Sequence, residues 1–268
     1  MSRADRELQA GSHAHYEDPT YYTATYARRI EDVAFYVGLA RSIGGPVLEY
    51  GVGNGRIALP MARHGAEVVG VDWSRPMLED ARARLTHEPA EVRERVRLVE
   101  GDMRRVRLGR RFPLVICAFN TALHLYTRLD VERFLARVRA HLTGRGRFVV
   151  DLSVPPLDEL ARDPTRPHHA PRFRHPTAAI RVKYKEHFDY DHVRQVLFVS
   201  MEFEPVGEPQ GAWVTPLAHR QFFPQEWEAL LHYNGFGVVR VDGDFQGGPL
   251  TKESDVMVWH ARPRRTTG

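Results

Sequence analysis

Cysteine is nearly missing from this 268-residue chain: Cys117 stands alone, so no internal disulfide can form, and a reducing, cytoplasmic setting is expected. Lysine is scarce as well. Only Lys183, Lys185 and Lys252 occur, so nearly all the positive charge is arginine, and the formal net charge is +4. Those arginines are interleaved with acids, as in EVRERVRL from Glu91 to Leu98, and never form one basic run. A solvated face is the better reading, which argues against a nucleic-acid partner. No apolar run reaches the roughly 18 residues of a membrane span, and the opening MSRADRELQAGSHAHYEDP lacks the apolar core of a secretory signal. No membrane partner is expected. With 43% hydrophobic residues the chain is not disordered, and it can bury one large α/β core with an insertion.

Along the chain, residues 1–15 read as a mobile tail, and Asp18 to Ala40 as one helical arm that closes at the breaker Gly44-Gly45-Pro46. Strands and helices then alternate. PVLEYG, AEVVGVD, VRLVEGD, FPLVICAF and GRFVVDLSV read as strands; RIALPMARHG, RPMLEDARARL and DVERFLARVRAHL read as helices. Ser74 is a candidate N-cap, Pro76 fits the first turn that follows, and the third helix ends near Gly144. This rhythm predicts a doubly wound, mostly parallel sheet, with right-handed crossovers bringing every strand's C-terminal end to one rim. After Pro155 the pattern changes. Residues 155–177 read as loop or irregular helix, including HHAPRFRH, which lacks metal-ligand spacing; no metal is expected. IRVKYKEHFDYD, RQVLFVSMEFEP and AWVTPLAHRQFF alternate apolar and polar residues, as antiparallel strands exposed on one face do. The α/β pattern resumes with the helix PQEWEALLHYNGF and the strands GVVRVDGDF and SDVMVWHAR. The expected division is 1–45, tail and arm; 46–154, core; 155–223, loop and β insertion from about Arg172 to Phe223; and 224–268, the end of the core.

The densest signal is VLEYGVGNGRIALPMARHGAEVVGVD, Val47 to Asp72. A strand runs into Gly51, Gly53 and Gly55 and then a helix, which is a backbone cradle at a helix N-terminus. A tight turn without ligand is the plainer reading of the glycines alone. A dinucleotide fingerprint fits poorly, because Arg56 stands where its third glycine belongs. Glu49 beside the cradle repels phosphate and suits a cationic ligand. Asp72 ends the second strand, where an acid can accept two ribose hydroxyls. EGD, Glu100 to Asp102, ends the third, where Asp102 can accept an adenine amino proton while the Met103 backbone reads the ring. Trp73 and Met77 can sandwich that ring.

This ordered set resembles the class I S-adenosylmethionine-dependent methyltransferases, whose successive motifs look like LEYGVGNGR, VVGVDWS and VEGDMR. The likeness spans about residues 26–152 and 217–262; Val52 departs from it, since the family often has a small residue or cysteine there. It implies a Rossmann-like, seven-stranded sheet with an N-terminal lid helix, and S-adenosyl-L-methionine as cofactor, held by Tyr26, Arg29, Glu49, Gly51, Gly53, Asn54, Arg56, Asp72, Trp73, Met77, Gly101, Asp102, Met103 and Asn120. In that family the nucleophile attacks a methyl group on a sulfonium, much of the acceleration coming from alignment. AFNTALHL, Ala118 to Leu125, is similar to the active-site segment of small-molecule N-methyltransferases acting on glycine or amino sugars. Asn120, His124 and His219 are the catalytic candidates; His124 reads either as a base or orienting group, or as a packed or capping histidine. The absence of an Asn- or Asp-Pro-Pro-Tyr motif argues against the amide- and nucleobase-methylating branches. YEDPTYYTATYARRIEDVAFY resembles the lid, with Arg29 paired to the cofactor's carboxylate. Tyr21, Tyr22, Tyr184 and Arg220 are the candidate substrate contacts. The expected activity is methyl transfer to a small-molecule acceptor, with an amine nitrogen favoured over a hydroxyl oxygen. The alternatives are an RNA or protein methyltransferase and a catalytically silent cofactor-binding module. The insertion is expected to serve as substrate cap or as the platform of a homodimer.

Overall fold

The computed structural model describes residues 3–264, and these fall into two compact units. One joins the described part of Met1–Arg28 to Pro155–Gln221; the other joins Arg29–Val154 to the described part of Phe222–Gly268. Residues 1–2 of the expected tail and 265–268 of the expected core end lie outside the described residues.

The second unit is built on a seven-stranded sheet. Its strands are β1 (Val47–Tyr50), β2 (Val68–Asp72), β3 (Val96–Glu100), β4 (Phe112–Cys117), β5 (Leu142–Ser153), β10 (Phe236–Asp242) and β11 (Val256–Pro263). Their order is β10-β11-β5-β4-β1-β2-β3. All neighbours from β3 to β5 pair in parallel, while β11 runs antiparallel to both β5 and β10. This is the doubly wound, mostly parallel sheet that the alternation predicts. β1 is buried at all four positions because helices cover both of its faces. Leu48, Tyr50, Val115, Cys117 and Val150 meet one layer, with α7 (Arg128–His141) and α9 (Pro224–Tyr233) contributing Phe134, Leu135, Trp227 and Leu231. Val47, Val68, Leu114, Ile116 and Val149 meet the other, where α3 (Glu31–Ile43), α4 (Ala58–Arg63) and α5 (Arg75–Thr86) contribute Tyr36, Leu39, Met61 and Leu78. Each such side chain, fully buried, contributes about 1.5–3 kcal/mol. Ser74 caps α5 as its sequence suggests, accepting the Met77 N–H, with proline in the first turn. The chain reverses its direction of sheet growth between β1 and β4, and a switch point of this kind opens a crevice at the strands' C-terminal ends.

The first unit carries a four-stranded antiparallel sheet in the order β6-β7-β8-β9. These strands are His168–Arg174, Arg181–Asp191, Val196–Pro205 and Trp213–Arg220. Helices α1 (Arg3–His13), α2 (Pro19–Tyr26) and α8 (Leu157–Leu160) belong to the same unit. Tyr21, Val182, Met201 and Phe203 form its small core.

Four expectations are corrected. Residues 3–13 are helix, not mobile tail: α1 lies on β9 so closely that a Cβ on Gly11 would stand 2.6 Å from the Ala218 Cβ. A partner far along the chain fixes this helix, which is why no local pattern announced it. The arm from Asp18 to Ala40 is two helices. Asp18 caps α2 through the Tyr21 N–H, and the chain breaks at 27–30, where the Arg29 carbonyl accepts a bond from Arg56 Nη1. Residues 155–177, HHAPRFRH included, hold α8 and the edge strand β6. β6 is exposed along almost its whole length, so it has no alternation to read; the sheet therefore begins before Arg172. Helix α7 stops at His141, and Gly144 lies inside β5, because Leu142 already pairs with Phe112 of β4.

Candidate active site

The β1–α4 turn is a loop of left-handed glycines. Gly51, Gly53 and Gly55 have φ of 72°, 53° and 80°, which L side chains adopt only with strain. At Gly51 space is also decisive, since a Cβ there would stand 2.3 Å from the Thr121 side chain at the end of β4. Gly70, on β2, is a feature the sequence reading missed: a Cβ there would stand 2.5 Å from Val52 Cγ2. The valine that departs from the family pattern is thus accommodated by a glycine on the next strand.

Acids surround this cradle. Asp72 Oδ2 accepts the Gly53 N–H at 2.7 Å and Oδ1 accepts the Ser74 N–H at 2.8 Å, so the carboxylate braces the loop. Burial raises its pKa, and those N–H bonds pull it back. Glu49 is buried, and among the described residues its Oε2 has no hydrogen-bond partner. Burial pushes its pKa well up, Arg56 opposes, and Asp72, Asp32 and Asp151 add to the rise. A buried acid with an idle oxygen and acidic neighbours is a place prepared for positive charge. Asn54 is also buried.

Around the rim, Trp73 is 45% exposed, and Met77 is buried with its Cε 3.2 Å from where a Gly53 Cβ would be. Beyond β3, Gly101 and Met103 flank Asp102. Arg104 grips Asp102 through Nε and Nη2 and reaches Asp130 of α7 at 2.6 Å. Burial opposes ionisation of Asp102, yet the bonds from Arg104 hold its pKa below the usual carboxylate range.

After β4, Phe119 and Asn120 take φ of 50° and 63°. Asn120 bonds through both ends of its amide to strand β5: Oδ1 accepts the Ser153 N–H at 2.7 Å and Nδ2 donates to Ser153 Oγ at 2.8 Å. His124 sits in a 3-10 turn, Thr121–His124, with Nδ1 3.1 Å from the Tyr126 hydroxyl. Arg29 Nε and both Arg56 terminal nitrogens converge on Asp32, which is wholly buried. Both guanidiniums lie over the Phe119 ring, at 4.5 and 4.8 Å from its centroid. The sequence reading missed Asp32, Tyr36, Phe119, Asp151 and Ser153. The only local sign of the first two was a carboxylate and a tyrosine at i, i+4 on a helix, a spacing that puts them on one face.

The remaining candidates lie in the first unit. Tyr21 stacks on His175 at 4.9 Å and is hydrogen-bonded to Tyr184, whose hydroxyl donates to Glu186 at 2.5 Å. Tyr22 packs edge-on to Tyr26, whose hydroxyl is 3.1 Å from His15 Nε2. His219 and Arg220 are on β9, Arg220 donating to Gln195 Oε1 at 2.6 Å. Among the described residues no group of three or more His, Cys, Asp or Glu is placed to hold a metal ion.

Residues 47–146, from β1 into β5, match a family model described as a methyltransferase domain. Over this stretch the chain is similar to methyltransferase domains. A curated relative, the dTDP-3-amino-3,6-dideoxy-alpha-D-glucopyranose N,N-dimethyltransferase of Streptomyces fradiae, is 32% identical over 126 residues, 47% of this chain and 46% of that protein. The chain therefore aligns with about half the length of that relative. Two solved structures are similar over far more of it. The CcbJ methyltransferase from Streptomyces caelestis has a TM-score of 0.75 and 26% identity, covering 88% of this chain and 90% of its own. The glycopeptide N-methyltransferase MtfA complexed with (S)-adenosyl-L-methionine has a TM-score of 0.59 and 25% identity, covering 86% and 93%. The matched stretch thus covers the part of the sheet that carries the cradle, Asp72 and Asp102.

The residues present suit a sulfonium nucleoside. The cradle admits a ligand at the backbone, the idle Glu49 oxygen suits a cation, and Trp73 offers an exposed ring to a base.

Proposed function

We propose that this protein is an S-adenosylmethionine-dependent methyltransferase acting on an amine nitrogen of a small molecule in the cytoplasm. One observation carries the reading: at the switch point of the sheet, three left-handed glycines lie between a buried acid with an unpartnered oxygen and an acid that braces the loop. When bound, S-adenosylmethionine supplies a methyl group made electrophilic by its sulfonium. In this reading the chain's own residues do the rest. Glu49 and the cradle hold the cationic methionine end, Asp72 takes the ribose, and Asp102 with Met103 takes the adenine beside Trp73 and Met77. Asn120 and His124 stand at the end of β4, the side of the switch point opposite β2, where the acceptor is expected. Asn120 is locked to Ser153, so its part is to shape the wall, while His124 orients the amine or takes its proton. An amine is favoured because its lone pair needs alignment more than a strong base, and because two of the similar proteins are N-methyltransferases by name. Among the described residues no helix is long and apolar enough to cross a membrane.

The test is calorimetric titration with S-adenosylhomocysteine, followed by incubation with S-adenosylmethionine and a panel of amino sugars with their hydroxyl counterparts. Micromolar binding and methylation of the amines alone are expected. No binding at high micromolar concentration overturns the cofactor, and methylation of the hydroxyl compounds alone overturns the amine.

A further inference from the structure

Helix α3 buries two polar side chains one turn apart, Asp32 and Tyr36, each fully inaccessible. A buried polar group persists where it is bonded, and these two bond to different parts of the site. Asp32 holds Arg29 and Arg56. The Tyr36 hydroxyl donates to Asp151 Oδ1 on β5 at 2.5 Å. Asp151, 1% exposed, turns its other oxygen to the Phe119 N–H at 2.9 Å, and its carbonyl faces the Asn120 N–H at 3.4 Å. The Phe119 ring in turn carries the two guanidiniums that Asp32 pins. The contacts close into a ring: α3, Asp32, the arginines, Phe119, Asp151, Tyr36 and back to α3.

That ring encloses the strained part of the site. Phe119 and Asn120 are consecutive non-glycine residues in the left-handed region, a conformation that holds only where its surroundings over-determine it. Asp151 receives both of their N–H groups. Resting on the functional reading above, we propose that Asp151, oriented by Tyr36, is a positioning residue that fixes Phe119 and Asn120. Through the Phe119 ring it also sets Arg29 and Arg56 for the cofactor's methionine end. Nothing in this role requires Asp151 to touch cofactor or acceptor. It predicts that a side chain keeping an acceptor oxygen at this place keeps most of the function, whatever its charge.

The test is the affinity for S-adenosylhomocysteine, read by calorimetry on the full chain. Asp151→Ala is expected to weaken binding about tenfold or more, and Asp151→Asn, whose amide oxygen still accepts the Phe119 N–H, to recover to within about threefold of the wild type. A loss below about fivefold in Asp151→Ala, or equal losses in the two variants, overturns the proposal. Should Asp151→Ala fail to fold, Tyr36→Phe decides: a threefold or greater loss supports the positioning role and an unchanged affinity overturns it. Absence of binding by the wild type would instead bring down the cofactor reading itself, a result distinct from any difference among variants.

Discussion

Asp151 shows how a single side chain can be held at a cost to the fold. Burial raises its pKa from 3.8 to about 6, against the opposing bonds from Tyr36 and Phe119; Asp32 adds to the rise and Arg29 subtracts. An acid with a raised pKa takes up a proton on folding between those two values. Its contribution to stability is therefore complete at low pH and is lost as pH rises from 3.8 through 6; above that the loss amounts to roughly 3 kcal/mol. Asp151→Asn removes the charge and keeps the shape. Thermal melting should find this variant at or above the wild type at pH 8, with the gap narrowing below pH 6 and closing only as pH falls below 3.8. A variant that melts below the wild type at pH 8 contradicts the sign. Glu49 follows the same logic, its acid held uncomfortably in a buried place that a cation would relieve.

Helix α7 illustrates an element whose start was set locally. Thr127 caps it, and Asp130 reaches back to the Thr127 N–H, closing a capping box. Thr127→Ala should lower stability by about 1 kcal/mol in denaturant unfolding, with no change in m-value. A loss near zero means that Asp130 alone suffices. Ser74 and Asp18 are N-caps as well, and strands β1 to β5 announced themselves by short apolar-rich stretches between turn residues, β4 by a continuous apolar run. The elements that stayed hidden share one trait: their partners are distant in sequence. Helix α1 needs β9, and β6 needs β7. The break between α2 and α3 is marked by no proline or glycine; it lies where a guanidinium from the cradle bonds the Arg29 carbonyl.

Across the molecule the charge is dispersed. Arg63 pairs with Glu88, Arg110 with Glu67, and Arg84 with Asp80, mostly as exposed pairs worth little each. Such a surface should bind structured RNA no more tightly than about 10⁻⁵ M at physiological salt; a submicromolar, steeply salt-dependent affinity would revive the nucleic-acid reading. The glycine spacing, the acids that end successive strands and the alternation of apolar runs are short-range facts; the alternation was enough to predict a doubly wound parallel sheet, and the motifs carried the resemblance from which the seven strands and the cofactor were expected. Pairings between side chains dozens of residues apart could not be read from any local period. Tyr36 meets Asp151 across 115 positions and Asp151 meets Phe119 across 32. Only the packing of α3 against the strand ends brings these groups together, because a buried hydrogen bond is chosen by three-dimensional proximity and the need to satisfy every polar atom, and neither leaves a signature along the chain.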